Sequence, residues 1–240
     1  MLLAKKYQPE SLLGKGGFGR TLLARTVVGE GQGAEPAGTR CVIKQIYRTP
    51  AETNAAFNAE AERLEQLGKH PQIPRLLASV ENSLGQFLVQ EFAPGENLEA
   101  LVARDGAWDE DEVRSLLNSL VAVLQYVHSF KVIHRDIKPA NIQINEYGEV
   151  LLCDWGLARD LDRKGACETL ELRKEDFDLL PEVPVSIDQR IKGTPGFMAP
   201  EQIDSKRFGK RSVHTDVYSL GAVLYSLLVL EAPFAGDRKS

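Results

Sequence analysis

The hydrophobic pattern of the chain changes near residues 91–95 from a period of two to a helical period, and this change most restricts its fold. Before it, the segments TLLARTVV, RCVIKQI and FLVQEF are typical of strands, and one helix is predicted over residues 51–68. After it, an acidic start leads into an apolar helical face formed by Val113, Leu116, Leu117, Leu120 and Leu124. We therefore expect an α+β, bilobal fold with a β-rich small lobe at residues 1–93 and a mostly helical large lobe at residues 94–240.

Composition and charge exclude several classes of function. The 240 residues carry 29 basic and 34 acidic side chains, a net charge of −5, which argues against nucleic acids and anionic membranes as partners. The three cysteines are isolated in the sequence, so neither a disulfide framework nor a zinc site is expected. The N-terminus has no apolar secretion signal, and we interpret the longest apolar stretch, residues 217–230, as a buried helix too short to span a bilayer. We expect a cytoplasmic protein.

Two segments are rich in turn-forming and charged residues. Residues 29–39 separate two strand-like runs, which predicts an exposed hairpin connection between them. Residues 160–191 mix both charges with Pro181 and Pro184, which predicts a long surface loop that holds at most one short helix.

A glycine-rich motif begins at Gly14 and reads GKGGFG, with Gly14, Gly16 and Gly19 in a GxGxxG pattern. Glycines allow the backbone to approach phosphates closely. A dinucleotide-binding unit would continue into a helix, whereas this motif continues into a strand-like run, which disfavours that class. By itself, the motif favours a glycine-rich hairpin turn that binds nothing.

A lysine lies within the apolar strand CVIK. An ammonium group placed there requires an anionic partner, unless Lys44 reaches solvent from an edge strand. The following helix offers Glu60 and Glu62. Spacing favours Glu60, because Leu64 and Leu67 then lie at i+4 and i+7 on the same face.

The segment HRDIKPAN carries the strongest chemical signal. It places a carboxylate, an amine and an amide (Asp136, Lys138 and Asn141) within six positions, a set suited to proton acceptance, phosphate neutralisation and metal binding. Thirteen residues later, Asp154 ends an apolar run and precedes Trp155 and a glycine, as expected for a Mg²⁺ ligand.

From these motifs, the chain resembles the eukaryotic-like (Hanks-type) Ser/Thr protein kinases, most closely their bacterial branch. Further similarity lies in Lys138, in the segment GTPGFMAPE that ends at Glu201, and in the segment DVYSLG that begins at Asp216. The resemblance runs from Gly14 to Phe234 and implies ATP and Mg²⁺, or Mn²⁺, as cofactors and protein Ser/Thr hydroxyls as substrates.

The resemblance implies a role for each motif residue. The phosphates would be covered by the loop residues Gly14, Lys15, Gly16, Gly17, Phe18 and Gly19, and contacted by Lys44, which Glu60 holds. Adenine would bind backbone groups of Glu91 and Ala93, with Gln90 behind it. Catalysis would use Asp136 as the proton acceptor and Lys138 on the transferring group, Asn141 and Asp154 would bind the metal, and Thr194 would position the substrate.

Other positions suggest regulation or departures from the family. Arg135 would accept a phosphate placed on Thr169 or Ser186 by autophosphorylation. Trp155 replaces the usual Phe, and its indole N–H could bond a nearby carbonyl and favour the active placement of Asp154. His134 is expected to be structural.

The large lobe is expected to be incomplete, because only 24 residues follow Asp216 (240 − 216). This predicts an uncovered apolar helix face, with self-association or a partner protein to cover it. The alternative to an active enzyme is a nucleotide-binding pseudokinase or regulatory scaffold.

Overall fold

The computed structural model describes residues 3–16, 19–27, 35–46, 51–82, 85–162 and 195–233. The chain divides into two compact units. Met1–Glu96 and Gln143–Gly156 form the first, and Asn97–Ile142 and Leu157–Ser240 form the second. Most of the strand residues lie in the first unit and most of the helical residues in the second, which agrees with the α+β class predicted from the change in hydrophobic period.

The elements are numbered in chain order. The strands are β1 (Tyr7–Gly16), β2 (Gly19–Thr26), β3 (Arg40–Ile46), β4 (Leu76–Asn82), β5 (Gly85–Glu91), β6 (Glu96–Asn97), β7 (Val132–Ile133), β8 (Ile142–Ile144), β9 (Val150–Leu152) and β10 (Arg159–Asp160). The α-helices are α1 (Ala51–Leu67), α2 (Leu98–Asp105), α3 (Glu110–Ser129), α4 (Pro200–Ile203), α5 (Ser205–Phe208) and α6 (Val213–Val229).

A five-stranded sheet in the order β1-β2-β3-β5-β4 forms the main part of the first unit, with every neighbouring pair antiparallel. Along β3, Cys41 and Ile43 are buried in a core, while Lys44 lies between Thr21 of β2 and Leu88 of β5 in the register. The core on this face also contains Tyr7, Ala24, Phe87 and Val89. Because side chains alternate along a strand, Lys44 lies on the other face of the sheet from this core.

The connection from β2 to β3 ends where the sequence predicts, at residue 39, but begins at residue 27, two residues earlier than predicted. β2 ends at Thr26, β3 begins at Arg40, and the two strands pair antiparallel. The first part of the connection, residues 28–34, lies outside the described residues.

Helix α1 confirms the helix predicted over residues 51–68. It ends at Leu67, one residue before Gly68, whose φ of +63° is the left-handed conformation that commonly ends helices. Glu60, Leu64 and Leu67 are all buried, at the i, i+4, i+7 spacing of one helix face. Helix α1 therefore buries the carboxylate of Glu60 on the same face as two leucines.

Helix α3 forms where the acidic start and the apolar face predict it. Its first turn has a capping box, in which the Asp109 carboxylate accepts the N–H of Glu112 and the Glu112 side chain accepts the N–H of Asp109. Its buried face consists of Val113, Leu116, Leu120, Val123, Leu124 and Val127.

The prediction that residues 217–230 form a buried helix is wrong for one of its faces. The segment lies within α6 and its C-cap, and the side of α6 that includes Leu220, Val223 and Leu227 is buried. The other side exposes Val217, Tyr225, Leu228, Val229 and Leu230 by 46–55%. The physical reason is that an apolar helix is buried only on faces that meet another element, and no described element covers this one. The uncovered apolar face that the sequence predicts is therefore present.

None of the helices in the described ranges combines the length and apolar character needed to cross a membrane.

Candidate active site

Lys44 has two carboxylate partners within the first unit. Its Nζ lies 2.8 Å from Oε1 of Glu60 and 2.7 Å from Oδ1 of Asp154. Burial by itself lowers the pKa of Lys44, but the two carboxylates outweigh it and hold that pKa well above its ordinary value. The two carboxylates therefore favour the charged form of the ammonium group, and its partner on α1 is Glu60 rather than Glu62, as the helical spacing predicts.

Glu60 also receives a hydrogen bond from the strand beside Lys44. The Nε2 of Gln90, at the end of β5, donates to Oε1 of Glu60 at 3.3 Å, and both side chains are buried. The sequence predicts Gln90 behind adenine but not this contact, because the two residues are 30 positions apart. A buried carboxylate with two donors is held in one orientation.

The turn after β9 places Asp154 in the left-handed region, with a φ of +64°. Trp155, next in the chain, is 1% exposed, and its Nε1 donates to the carbonyl of Leu152 at 3.1 Å. A bond from the indole to a nearby carbonyl is what the sequence predicts for Trp155. The bond joins the residues on either side of Asp154 and fixes the turn that presents its carboxylate.

Strands β1 and β2 pair as a hairpin, and the described part of the glycine-rich segment lies at the end of both strands. Gly14 and Lys15 lie in β1, and Gly16 pairs with Gly19 at the start of β2. A Cβ at Gly19 would clash with the carbonyl of Gln45, so this strand requires glycine there. The motif continues into strand β2 and not into a helix, as the sequence predicts, which disfavours a dinucleotide-binding unit. Gly17 and Phe18 lie outside the described residues.

The second unit holds Asp136 between two donors. Nζ of Lys138 lies 2.9 Å from Oδ2 of Asp136, and Nδ2 of Asn141 donates to the same oxygen at 2.9 Å and to the Asp136 carbonyl at 2.8 Å. Asp136 is 8% exposed. The sequence predicted these three residues as a set, and the structure brings their side chains into contact.

The backbone before Asp136 is held by a fully buried carboxylate on α6. Oδ2 of Asp216 accepts the N–H of His134 at 2.9 Å, and Oδ1 accepts the N–H of Arg135 at 2.8 Å. Nε2 of His128 lies 2.8 Å from Oδ2 of the same carboxylate. His134 is itself completely buried, as its structural role requires.

Two further contacts near this segment were not predicted from the sequence. Nε2 of Gln202 on α4 donates to the carbonyl of Arg135 at 2.8 Å, and Arg135 has a φ of +71°. Oγ1 of Thr215 donates to Oε1 of Glu201 at 2.6 Å. Neither Gln202 nor Thr215 lies in a motif, so only the folded chain reveals that Gln202 bonds the segment containing Arg135 and that Thr215 bonds Glu201.

Glu91 is the last residue of β5, and Ala93 follows two positions later. The chain then turns at Gly95, which has a φ of +96° and where a Cβ would clash with the carbonyl of Ile144. Glycine is thus required at this position on both grounds. Thr194 and the regulatory candidates Thr169 and Ser186 lie outside the described residues.

The residues expected to bind a metal offer oxygen donors, which suit Mg²⁺. The side chain of Asp154 is 49% exposed. Because Asn141 donates its amide N–H groups to Asp136, the carbonyl oxygen of that amide is the atom available to a cation. The donor chemistry of both residues therefore fits Mg²⁺.

Comparison with known proteins identifies the class. The protein kinase domain family matches residues 7–240. Serine/threonine-protein kinase B of Synechocystis sp. is 34% identical over 246 residues, which cover 98% of this chain and 38% of that protein. Serine/threonine-protein kinase PknA of Nostoc sp. is 35% identical over 240 residues, which cover 97% of this chain and 38% of that protein.

The chain therefore belongs to the protein kinase family, which agrees with the resemblance to Hanks-type kinases, and both relatives named above are serine/threonine-protein kinases of bacteria. It spans about two fifths of the length of these curated relatives.

Proposed function

We propose that this chain catalyses transfer of the γ-phosphate of ATP to Ser or Thr hydroxyl groups of proteins. The observation that carries this proposal is the Asp136 carboxylate, which Lys138 and Asn141 hold at 2.9 Å each. A carboxylate fixed in this way is suited to accept a hydroxyl proton, while the adjacent ammonium group is suited to a transferring phosphoryl group.

The first unit supplies groups that bind the nucleotide. The glycine-rich hairpin from Gly14 to Gly19 covers the phosphates with backbone N–H groups, and Lys44, fixed by Glu60, contacts the α- and β-phosphates. The backbone of Glu91 and Ala93 bonds the adenine edge. Support for this assignment comes from the exposure of the Asp154 carboxylate and from the two ion pairs that hold Lys44 charged.

The second unit supplies the groups that act on the hydroxyl. Asp136 orients the hydroxyl and removes its proton, and Lys138 stabilises negative charge on the transferring group. Thr194 positions the acceptor residue.

Magnesium is the metal that the family generally uses, and Mn²⁺ has the same preference for oxygen ligands. Asp154 and Asn141 would each supply one oxygen ligand. When bound, the cation neutralises the phosphate charge that would otherwise repel the catalytic carboxylate.

Proteins with Ser or Thr acceptors are the proposed substrates. The chain itself is one candidate, with Thr169 and Ser186 as acceptor sites and Arg135 as the cation that binds the resulting phosphate. We place the reaction in the cytoplasm, where ATP is supplied.

The test is transfer of labelled γ-phosphate from ATP to the chain itself and to a generic Ser/Thr-rich protein. Asp136→Asn removes the proton acceptor but keeps the shape of the side chain, so transfer should fall by about 10²- to 10⁴-fold. The matched control is Asp111→Asn, at an exposed position in the first turn of α3, which should transfer phosphate at the wild-type rate.

If the wild-type chain binds ATP but transfers no phosphate, the pseudokinase alternative replaces this proposal. Equal rates for wild type and Asp136→Asn would remove Asp136 from the mechanism.

A further inference from the structure

Arg75, immediately before β4, forms a two-pronged bond with the side chain of Glu91. Its Nε donates to Oε1 of Glu91 at 2.9 Å, and its Nη2 lies 2.8 Å from the same oxygen. The backbone N–H of Arg75 donates to Oε2 at 3.1 Å. Three donors of one residue therefore hold both carboxylate oxygens of Glu91.

The main chains of the same two residues are also joined. The N–H of Glu91 donates to the carbonyl of Arg75 at 2.9 Å, next to the irregular pairing of β4 with β5 at Leu76. Glu91 is thus fixed through its backbone and its side chain at once. Such double attachment leaves little freedom for the peptide groups that follow it.

Two further contacts brace this bond. Nη2 of Arg75 also pairs with Glu35, in the connection between β2 and β3. The guanidinium of Arg40 lies 4.4 Å from the ring centroid of Phe92, the residue after Glu91. Residues 91 and 92 are therefore held by two arginines from two different parts of the unit.

The charges in this cluster favour a permanent contact. Burial lowers the pKa of Arg75, but hydrogen bonds to Glu91 and Glu35 outweigh it and raise that pKa. The Arg75 side chain is 26% exposed and the Glu91 side chain 42% exposed, so the pair is partly shielded from water. Two nitrogens of one planar guanidinium contact Oε1 of Glu91, which fixes the direction of the pair in a way that a lysine cannot.

We propose that Arg75 is a positioning residue for the adenine base, which it serves by fixing the main chain of Glu91 to Ala93. The inference rests on the proposed function, in which these backbone groups bond adenine. Hydrogen bonds to a base require donor and acceptor positions within a few tenths of an ångström, and a backbone fixed in advance binds without the entropy cost of ordering. Arg75 touches no nucleotide itself and acts through Glu91.

The experiment measures dissociation constants of the 240-residue chain for three probes, ATP, adenosine and inorganic tripolyphosphate, by calorimetry or competition. In Arg75→Gln, affinity for ATP and adenosine should fall about tenfold, the worth of one charge-assisted hydrogen bond. Affinity for tripolyphosphate should not change, because Lys44 and the glycine-rich hairpin are untouched. Glu91→Gln should have the same pattern, and the double variant should lose no more than either single one.

The matched control is Arg25→Gln. Arg25 pairs with Glu10 at 2.6 Å on the same sheet, so this change also removes an Arg–Glu bond but should leave all three affinities unaltered. Arg75→Lys keeps the positive charge but lacks the planar guanidinium, so it should recover only part of the lost affinity for ATP and adenosine. Thermal unfolding of each variant monitors the fold.

Three results would overturn the inference. Unchanged ATP affinity in Arg75→Gln shows that Arg75 does not position the base, and equal loss for ATP and tripolyphosphate shows a general effect on the fold. If the wild-type chain binds ATP no more tightly than tripolyphosphate and does not bind adenosine, then both the adenine site and the positioning role of Arg75 are contradicted. If the wild-type chain binds ATP and Arg75→Gln binds it equally well, only the role of Arg75 is contradicted, and the proposed function is unaffected.

Discussion

Trp155 shows how one side chain can fix the geometry of its neighbour. Its indole donates to Leu152 across the turn that holds Asp154 at a φ of +64°. A left-handed residue other than glycine costs of order 1 kcal/mol, so the turn needs a compensating interaction. The indole bond supplies one, and phenylalanine, the usual residue of the family at this position, has no donor to do so.

Replacing Trp155 with Phe tests this role. The carbonyl of Leu152 would lose its indole donor, and we expect the free energy of unfolding to fall by about 1 kcal/mol or more, with a severalfold lower rate of phosphate transfer. Trp108→Phe is the control, because Trp108 is the other tryptophan of the chain and lies in the second unit. Chemical denaturation and the transfer assay measure the two effects. Unchanged activity in a destabilised Trp155→Phe would assign the indole to the fold alone.

At the scale of elements, α6 acts as an anchor through Asp216. This buried carboxylate accepts two backbone N–H groups from residues 134 and 135 and contacts His128 of α3. The segment that leads to Asp136 is therefore fastened to two helices by one side chain. Three polar contacts on one buried carboxylate make its removal costly, because each partner would be left without an acceptor.

Asp216→Asn tests the anchor. Asparagine offers one acceptor oxygen where aspartate offers two, so an amide N–H₂ would face a backbone N–H donor. We expect a loss of about 3 kcal/mol in the free energy of unfolding and a fall in phosphate transfer larger than that from Trp155→Phe. The conservative change Asp111→Asn on α3 should alter neither quantity. Wild-type transfer by Asp216→Asn would contradict the role of α6 as an anchor.

The sequence predicts elements with long, regular patterns and misses contacts between distant residues. β2, β3, α1 and α3 were predictable because their apolar positions repeat with one clear period. Of the two- and three-residue strands β6 to β10, only β9 was predicted, from the apolar run that precedes Asp154. The others have too few residues to show a period. In the candidate site, the pairing of Lys44 with Glu60 could be predicted, because helical spacing places Glu60 on the buried face of α1. The contact of His128 with Asp216 spans 88 positions and depends on packing between α3 and α6, which no local pattern encodes.

For the whole molecule, the exposed face of α6 is the feature that most affects behaviour in solution. Apolar residues on this face continue into a groove between α3 and α6, where Leu117 and Val121 lie opposite Val217 and Leu224. Scattered apolar residues are normal on protein surfaces, but a contiguous patch on a single helix favours association. The charge of −5 opposes association only weakly at physiological salt.

We therefore expect the 240-residue chain to self-associate through this face. Sedimentation velocity should show species heavier than the 26.5 kDa monomer whose proportion rises with concentration. The double variant Leu228→Gln, Val229→Gln removes two side chains that are 51% and 48% exposed, so it should shift the distribution towards monomer without loss of helix content. The control variant Tyr147→Gln changes an 81% exposed aromatic residue of the first unit and should sediment as wild type does. A wild-type chain that is monomeric at all concentrations would show that this face does not drive association, because exposed apolar area alone would then be too small to offset the entropy that association costs.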